Sequence, residues 1–142
     1  SAPALKAFLG LYGGVGEGAL DAKTRERIAL AVAEENGCQY CVSAHSAIGR
    51  KVGLDNAEIE AARAGTSADA RAAAAVAFAK SLAEHDGQVT AAEVQAVRDA
   101  GYADGEIVEI IVNVGLNVLT NILGKATQVE IDFPKVELRR AA

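Results

Sequence analysis

Three residues in one short segment have the types and spacing that could do chemistry. They are Cys38, Cys41 and His45, within Glu35-Asn36-Gly37-Cys38-Gln39-Tyr40-Cys41-Val42-Ser43-Ala44-His45. On a helix, positions 38, 41, 45, 48 and 52 advance by three, four, three and four, so Cys38, Cys41, His45, Ile48 and Val52 share a face. Both thiols and the imidazole then lie on an inward stripe continued by aliphatic side chains, and His45 sits one turn beyond Cys41. The C-x-x-C spacing lets the two sulfurs close a disulfide, so oxidation of one can be resolved by the other. A helix start also favours a thiolate, through unpaired N–H groups and the helix dipole. A free thiol titrates near about 8.5, and such a position beside a basic neighbour lowers that value.

Other uses of these residues fit less well. A buried Cys pair can be inert core. Structural zinc wants four ligands, whereas this segment offers three, and His85, the other histidine, falls at a different helix end. Haem attachment needs His directly after the second Cys, where Val42 stands. Gly14-x-Gly16-x-x-Ala19 superficially fits a dinucleotide fingerprint, but no strand precedes it and no βαβ unit contains it. No cofactor and no metal are therefore expected, and redox use of the dithiol is the favoured chemistry.

A relay through His45 needs a proton acceptor. In the preceding helical segment Ala22, Glu26, Ala29, Ala33 and Asn36 share a face of small residues that a neighbouring helix can approach closely. Glu26 could then reach the imidazole directly or through a water, although periodicity alone makes it an exposed first-turn carboxylate. Glu34 and Glu35 sit near the C-terminus of that helix, where negative charge is unfavourable.

The elements that must position these groups are helices. Pro3–Tyr12 reads as a short helix, and the glycine-rich run 13–18 as a loop leading to an Asp21 cap. The capped helix runs to about Asn36 and stops at Gly37; the next runs from about Cys38 to Gly53. Asp55-Asn56-Ala57-Glu58 and Thr90-Ala91-Ala92-Glu93 are capping boxes, for helices closed by Gly65 and Gly101. Between them, Ser67 is expected to cap an Ala-rich helix from Ala68 to about His85, ended by Gly87. Asp104 is expected to cap a last long helix to about Leu123, before an extended tail containing Pro134. That last helix is apolar nearly all round, yet Asn113, Asn117 and Asn121 recur every fourth residue. Three amides are costly in lipid, so a central or interface helix is expected, with the amides satisfied there or pointing at the site.

Composition agrees with this reading. The chain has 142 residues, the size of one domain, here taken as 1–142, with 51% hydrophobic and 23% charged residues. Roughly a fifth is Ala, aromatics make up 4%, and Trp and Met are absent. No segment of appreciable length alternates with period two, so the fold class is all-α. The net charge of −5 gives no general attraction to nucleic acid or anionic membrane, and the Lys and Arg residues are scattered, with a basic pair Arg139-Arg140 at the tail. Ser1-Ala2-Pro3-Ala4 lacks the basic start and apolar run of a secretory signal, and two cysteines three apart are no secreted disulfide framework. A cytoplasmic location is expected.

Arg25-Glu26, the helix that follows, Cys38-x-x-Cys41-x-x-x-His45, Gly53-Leu54 and the capped short helix together resemble the carboxymuconolactone decarboxylase and alkylhydroperoxidase D (AhpD) superfamily. The resemblance extends across most of the chain, to the apolar last helix and Asp132-Phe133-Pro134. It implies an AhpD-like domain of six to seven helices with the C-x-x-C at the start of a central helix, assembled as a homotrimer or homohexamer. It further implies that Glu26, Cys38, Cys41 and His45 match the proton-relay and redox residues of a thiol-dependent alkylhydroperoxide reductase. The partners are then a hydroperoxide and an external dithiol or redox protein. On helical spacing Cys41, nearer His45, is the expected attacking thiol, and Cys38 the one more open to the reductant; the reverse order is common in C-x-x-C enzymes. The chain departs from the alkylhydroperoxidase D pattern at Tyr40, where a second His is common. Two other functions compete: a lactone decarboxylase using His45 and Glu26, whose relatives generally lack the Cys pair, and a non-catalytic redox-sensing oligomer.

Overall fold

The computed structural model describes residues 1–139, and Arg140 of the basic tail cluster lies outside them. The described residues form seven α-helices and no strand: α1 (Ala2–Gly16), α2 (Ala22–Glu35), α3 (Gln39–Lys51), α4 (Asn56–Arg63), α5 (Ala70–Glu84), α6 (Ala91–Asp99) and α7 (Asp104–Ala126). The all-α expectation holds.

Helix α2 is the hub, packed against α3, α4, α5 and α7. Its run from Ile28 to Ala33 is buried on every side, and alternation of Ala with Ile, Leu and Val lets several helices approach it at once. One buried cluster joins Ile28 and Val32 to Phe78 and Leu82 of α5 and to Ile107, Ile110 and Val114 of α7. A second joins Leu30 to Leu54, Ile59 and Ala62. The third holds Ala33, Cys38, Cys41 and Val42, covered by Val136 and Leu138 of the tail.

The short turn between α2 and α3 sets the position of the cysteines. Gly37 adopts φ +62°, a left-handed conformation that glycine takes without strain. The Cys38 N–H then donates to Ala33 O at 2.9 Å and the Gly37 N–H to Glu34 O at 3.1 Å, the paired bonds of a Schellman turn. Cys38 thus follows the end of α2 directly and becomes the N-cap of α3.

Several helix limits differ from the sequence expectation. Helix α1 continues through Gly13 and Gly14 to Gly16, because extending an existing helix outweighs a cost of about 1 kcal/mol per glycine. It ends where the Ala19 and Leu20 N–H groups both donate to the Glu109 carboxylate of α7, each at 3.0 Å. A Cβ at Gly18 would lie 2.6 Å from Glu109 Oε2, so a larger residue there would displace the carboxylate that holds these two N–H groups. The cap of α5 is Asp69, not Ser67: the Ser67 hydroxyl is held by Glu58 at 2.7 Å, and Asp69 accepts from Ala72 N–H at 2.8 Å. The N-cap of α7 is Ala103, one residue before Asp104; the Glu106 carboxylate accepts its N–H at 2.8 Å, while Asp104 pairs with Arg98. Helix α7 also runs past Gly124 to Ala126.

By length and composition α7 could cross a membrane. In this fold one side of it is core against α2 and α5, and Asn113, Asn117 and Asn121 are buried on that side. Asn113 and Asn117 donate to the carbonyls one turn earlier, Glu109 O and Asn113 O, each at 2.8 Å, and Asn121 Oδ1 accepts from Asn36 Nδ2 at 2.9 Å.

Candidate active site

Helix α3 presents Cys41, Ala44, His45 and Ile48 to a cavity of about 520 Å³, and its C-cap Val52 joins them, so four of the five positions predicted to share a face do line one site. The fifth, Cys38, lies behind that wall. Helix α2 contributes Ala22, Arg25, Glu26 and Ala29; α7 contributes Asn113, Leu116, Asn117, Leu123 and Gly124; Phe8 and Tyr12 of α1 close one side. Most of this wall is apolar, which strengthens any electrostatic interaction made inside it.

Cys38 and Cys41 are joined as a disulfide, with Cα atoms 5.2 Å apart. The Cys41 N–H, third in the helix, donates to Cys38 Sγ at 3.3 Å, so the sulfur takes the place of a capping oxygen. That donor and the start of α3 stabilise negative charge on Cys38 whenever the disulfide opens. The expectation that Cys38 is the more open thiol is not met. Cys38 is 1% exposed and lies beneath Val136 and Leu138, whereas Cys41, 4% exposed, forms part of the cavity wall. The tail covers Cys38 because the Val136 N–H donates to Ser43 Oγ at 3.0 Å and Arg63 Nη2 to Glu137 O at 2.6 Å. Sequence periodicity carries no sign of that contact between residues so far apart.

Glu26 is not the exposed carboxylate that periodicity alone suggests. Its Oε2 lies 2.7 Å from His45 Nδ1, with no need of a bridging water, and the two side chains are 16% and 22% exposed. A carboxylate there fixes the imidazole by accepting the Nδ1 proton, which leaves Nε2 as the nitrogen free to exchange one. The small residues Ala22 and Ala29 flank Glu26 on the same wall and let α3 come this close.

Tyr40, at the position of the common second histidine, also lines the cavity. Its ring packs edge-on against Phe133, with centroids 5.9 Å apart. Burial first, and then the Asp132 carboxylate that accepts its hydrogen bond, push the Tyr40 phenol above its usual range. A phenol held neutral in this way is no substitute for a basic imidazole. Sequence reasoning gave Arg25 no role in the site and missed Gly124, although both line the cavity. A Cβ at Gly124 would lie 3.5 Å from Cys38 Sγ and 3.8 Å from Cys41 Sγ, so this glycine packs directly on the disulfide. Among the described residues no group of three or more His, Cys, Asp or Glu side chains is placed to hold a metal ion.

Comparison with known proteins places the fold and the family. An uncharacterized peroxidase-related protein from Silicibacter sp. TM1040 superposes with a TM-score of 0.83 at 28% identity, over 92% of this chain and 71% of that one. A protein of unknown function from Agrobacterium tumefaciens, suggested to be the antioxidant-defence protein AhpD, gives 0.83 at 22% identity, over 96% and 94%. A cysteine-to-alanine form of the debrominase Bmp8, in complex with 2,3,4-tribromopyrrole, gives 0.78 at 21%, over 89% and 69%; the likenesses below 25% identity speak to the fold. No curated protein matches the chain significantly. Residues 2–84, which contain α1 to α5 and the whole Glu26, Cys38, Cys41, His45 set, match the carboxymuconolactone decarboxylase family, and the chain belongs to that family.

Proposed function

We propose that this protein is a thiol-dependent hydroperoxide reductase. One observation carries the reading: Cys41, partnered by Cys38, and His45, bonded to Glu26 at 2.7 Å, line the same largely apolar cavity. In the reduced protein His45 Nε2 accepts the Cys41 thiol proton, and Glu26 stabilises the resulting imidazolium. The Cys41 thiolate attacks the distal oxygen of ROOH. The O–O bond breaks, sulfur is oxidised to sulfenic acid, and the leaving alkoxide takes the proton from His45 to give ROH. Cys38 then attacks the Cys41 sulfur, forming the disulfide; its proton and the departing hydroxide make water.

Reduction returns through the same cavity. A thiolate of an external dithiol attacks Cys41 Sγ, and Cys38 leaves as a thiolate stabilised by the Cys41 N–H and the start of α3. The second thiol of the reductant then releases Cys41, so one hydroperoxide and one dithiol become an alcohol, water and one disulfide. The exposure of Cys41 to the cavity, and the cover over Cys38, support this order of events. The cytoplasm, which maintains thiol reductants, is the compartment that suits the cycle.

The same reading includes a homo-oligomer, a trimer or hexamer. Helix α1 buries none of its own residues, and Leu5, Leu9 and Tyr12 stand exposed, as do Val108, Ile111, Leu119 and Ile122 of α7, the helix it packs on. A second copy is the cover that an apolar face of this kind requires. Sedimentation of the wild type and of Ile122→Lys tests it: a wild-type monomer at micromolar concentration would remove this part of the reading.

The test of activity is hydroperoxide consumption with dithiothreitol as reductant, for the wild type, Cys38→Ser and Cys41→Ser. The expected result is dithiol-dependent turnover by the wild type and its loss in both variants. Turnover that survives in both would refute the reading and favour acid–base chemistry by His45 and Glu26. A disulfide that forms without turnover would make the pair a sensor.

A further inference from the structure

Among the described residues Arg25 is the only Lys or Arg on the cavity wall, and it differs from the other arginines of the fold. Arg27, Arg63, Arg71, Arg98 and Arg139 each pair with a carboxylate. Arg50 is exposed to solvent, and holds Asn56 Oδ1 and Ser46 O. Arg25 is half-buried, and its one side-chain hydrogen bond among the described residues runs from Nη1 to Leu20 O. No carboxylate among those residues pairs with it; its neighbour Glu26 is engaged by His45 at 2.7 Å.

A guanidinium partly removed from water without a counter-ion carries a desolvation cost that an anion would offset. The Leu20 carbonyl holds one edge of the planar group, leaving Nε and Nη2 without partners among the described residues. These are donors suited to the two oxygens of a carboxylate. Around them Phe8, Tyr12, Ile48, Val52, Leu116 and Leu123 form an apolar wall. A ligand that satisfies both features has an anionic end and an apolar body.

We infer that Arg25 is a carboxylate-binding subsite, and that the substrate is an organic hydroperoxide bearing a carboxylate joined to its –OOH by an apolar chain. The Arg25 subsite stands on the cavity alone; only the identity of the reactive end rests on the hydroperoxide reductase reading. Anchoring the carboxylate at Arg25 lays the chain along the apolar wall and directs its other end toward Cys41 and His45.

The test uses the oxidised full-length protein at pH 7, with octanoate and 1-octanol as probes of equal chain length, titrated by calorimetry. Wild type is expected to bind octanoate at least about tenfold more tightly than octanol, the scale of one charge-assisted hydrogen-bonded pair. Arg25→Gln is expected to abolish that preference, and Arg25→Lys, which keeps the charge, to retain part of it. Equal binding of the two probes by wild type, or an undiminished octanoate preference in a folded Arg25→Gln, would overturn the inference. A second measurement compares kcat/KM for a fatty-acid hydroperoxide with that for tert-butyl hydroperoxide. The ratio is expected to fall about tenfold in Arg25→Gln. If wild type turns over neither peroxide, the reductase reading fails, while the octanoate result still decides the subsite.

Discussion

The two ends of α2 each hold a glutamate bonded to a basic side chain, and the two pairs serve different purposes. At the C-terminal end Glu34 accepts from Arg63 at 2.9 Å, with side-chain exposures of 8% and 5%. Glu34 also accepts the Arg139 N–H, and Arg63 reaches the Glu137 carbonyl, so this end clamps the tail over Cys38. At the N-terminal end Glu26 meets His45, beside a cavity and a cysteine. The partner makes the difference. A guanidinium stays charged at every pH a protein survives, so its pair can only hold structure. An imidazole gains and loses a proton near neutrality, so its pair can move one. Helix α2 therefore serves as a scaffold at one end and as part of a reactive site at the other.

The largest effect is expected at the sulfur. Cys41→Ser should lower dithiol-dependent hydroperoxide consumption by on the order of a thousandfold or more, with little change in melting temperature. Activity left intact by that change would remove the functional half of the contrast.

The two glutamates are then compared directly. Glu26→Gln should reduce kcat/KM by about a hundredfold and alter the pH–rate profile, while costing less than about 1 kcal/mol of stability. Glu34→Gln should do the reverse. Arg63 keeps the half-exposed Glu60 at 2.6 Å but loses its buried partner, a charge-assisted bond worth about 2 kcal/mol, read as a lower urea midpoint. Equal stability losses for the two variants, with an unchanged pH profile for Glu26→Gln, would make the two ends alike.

A third experiment examines the structural side by pH. Glu58 ties α2 to α4 by accepting from Arg27 at 2.8 Å, and it also holds Ser67 and the Ala68 N–H, each at 2.7 Å. Burial raises its pKa, but the Ala68 N–H, the Ser67 hydroxyl and Arg27 together hold it below the ordinary 4.5. A carboxylate depressed in the folded state stabilises above the unfolded value, and that contribution is lost as pH falls through the folded one. Glu58→Gln should therefore lie below wild type in melting temperature at pH 7, and the gap should narrow as pH falls below 4.5. A gap that is constant with pH would show that the ion pair contributes nothing to the fold.

The smallest effect is expected at Gly124. A methyl group added there would stand 3.5 and 3.8 Å from the two sulfurs, an ordinary contact distance. Gly124→Ala should therefore fit and gain up to about 1 kcal/mol through reduced backbone freedom in the unfolded chain. A loss of stability would mean that the packing of α7 on the disulfide is tighter than these distances indicate.

The helical class was legible because its signals are local. The capping box at Thr90 and Glu93 forms as expected, with Thr90 N–H donating to Glu93 at 2.7 Å. At Asp55 the cap forms, but Glu58 turns away to Arg27 and the 67–68 segment, since a distant arginine offers a stronger partner than a local N–H. The same competition moves the cap of α5 from Ser67 to Asp69.

For the site, the spacing of Cys38, Cys41 and His45 by itself determined a dithiol and an imidazole near one helix start, because helical periodicity relates neighbours along the chain. It also made Glu26 a candidate acceptor without fixing whether it reached His45. Tertiary structure alone decided the direct bond, the cover over Cys38, the opening of Cys41 to the cavity and the placement of Arg25 beside it. Those features depend on which surfaces of separate helices and of the tail meet, and local periodicity carries no information about that.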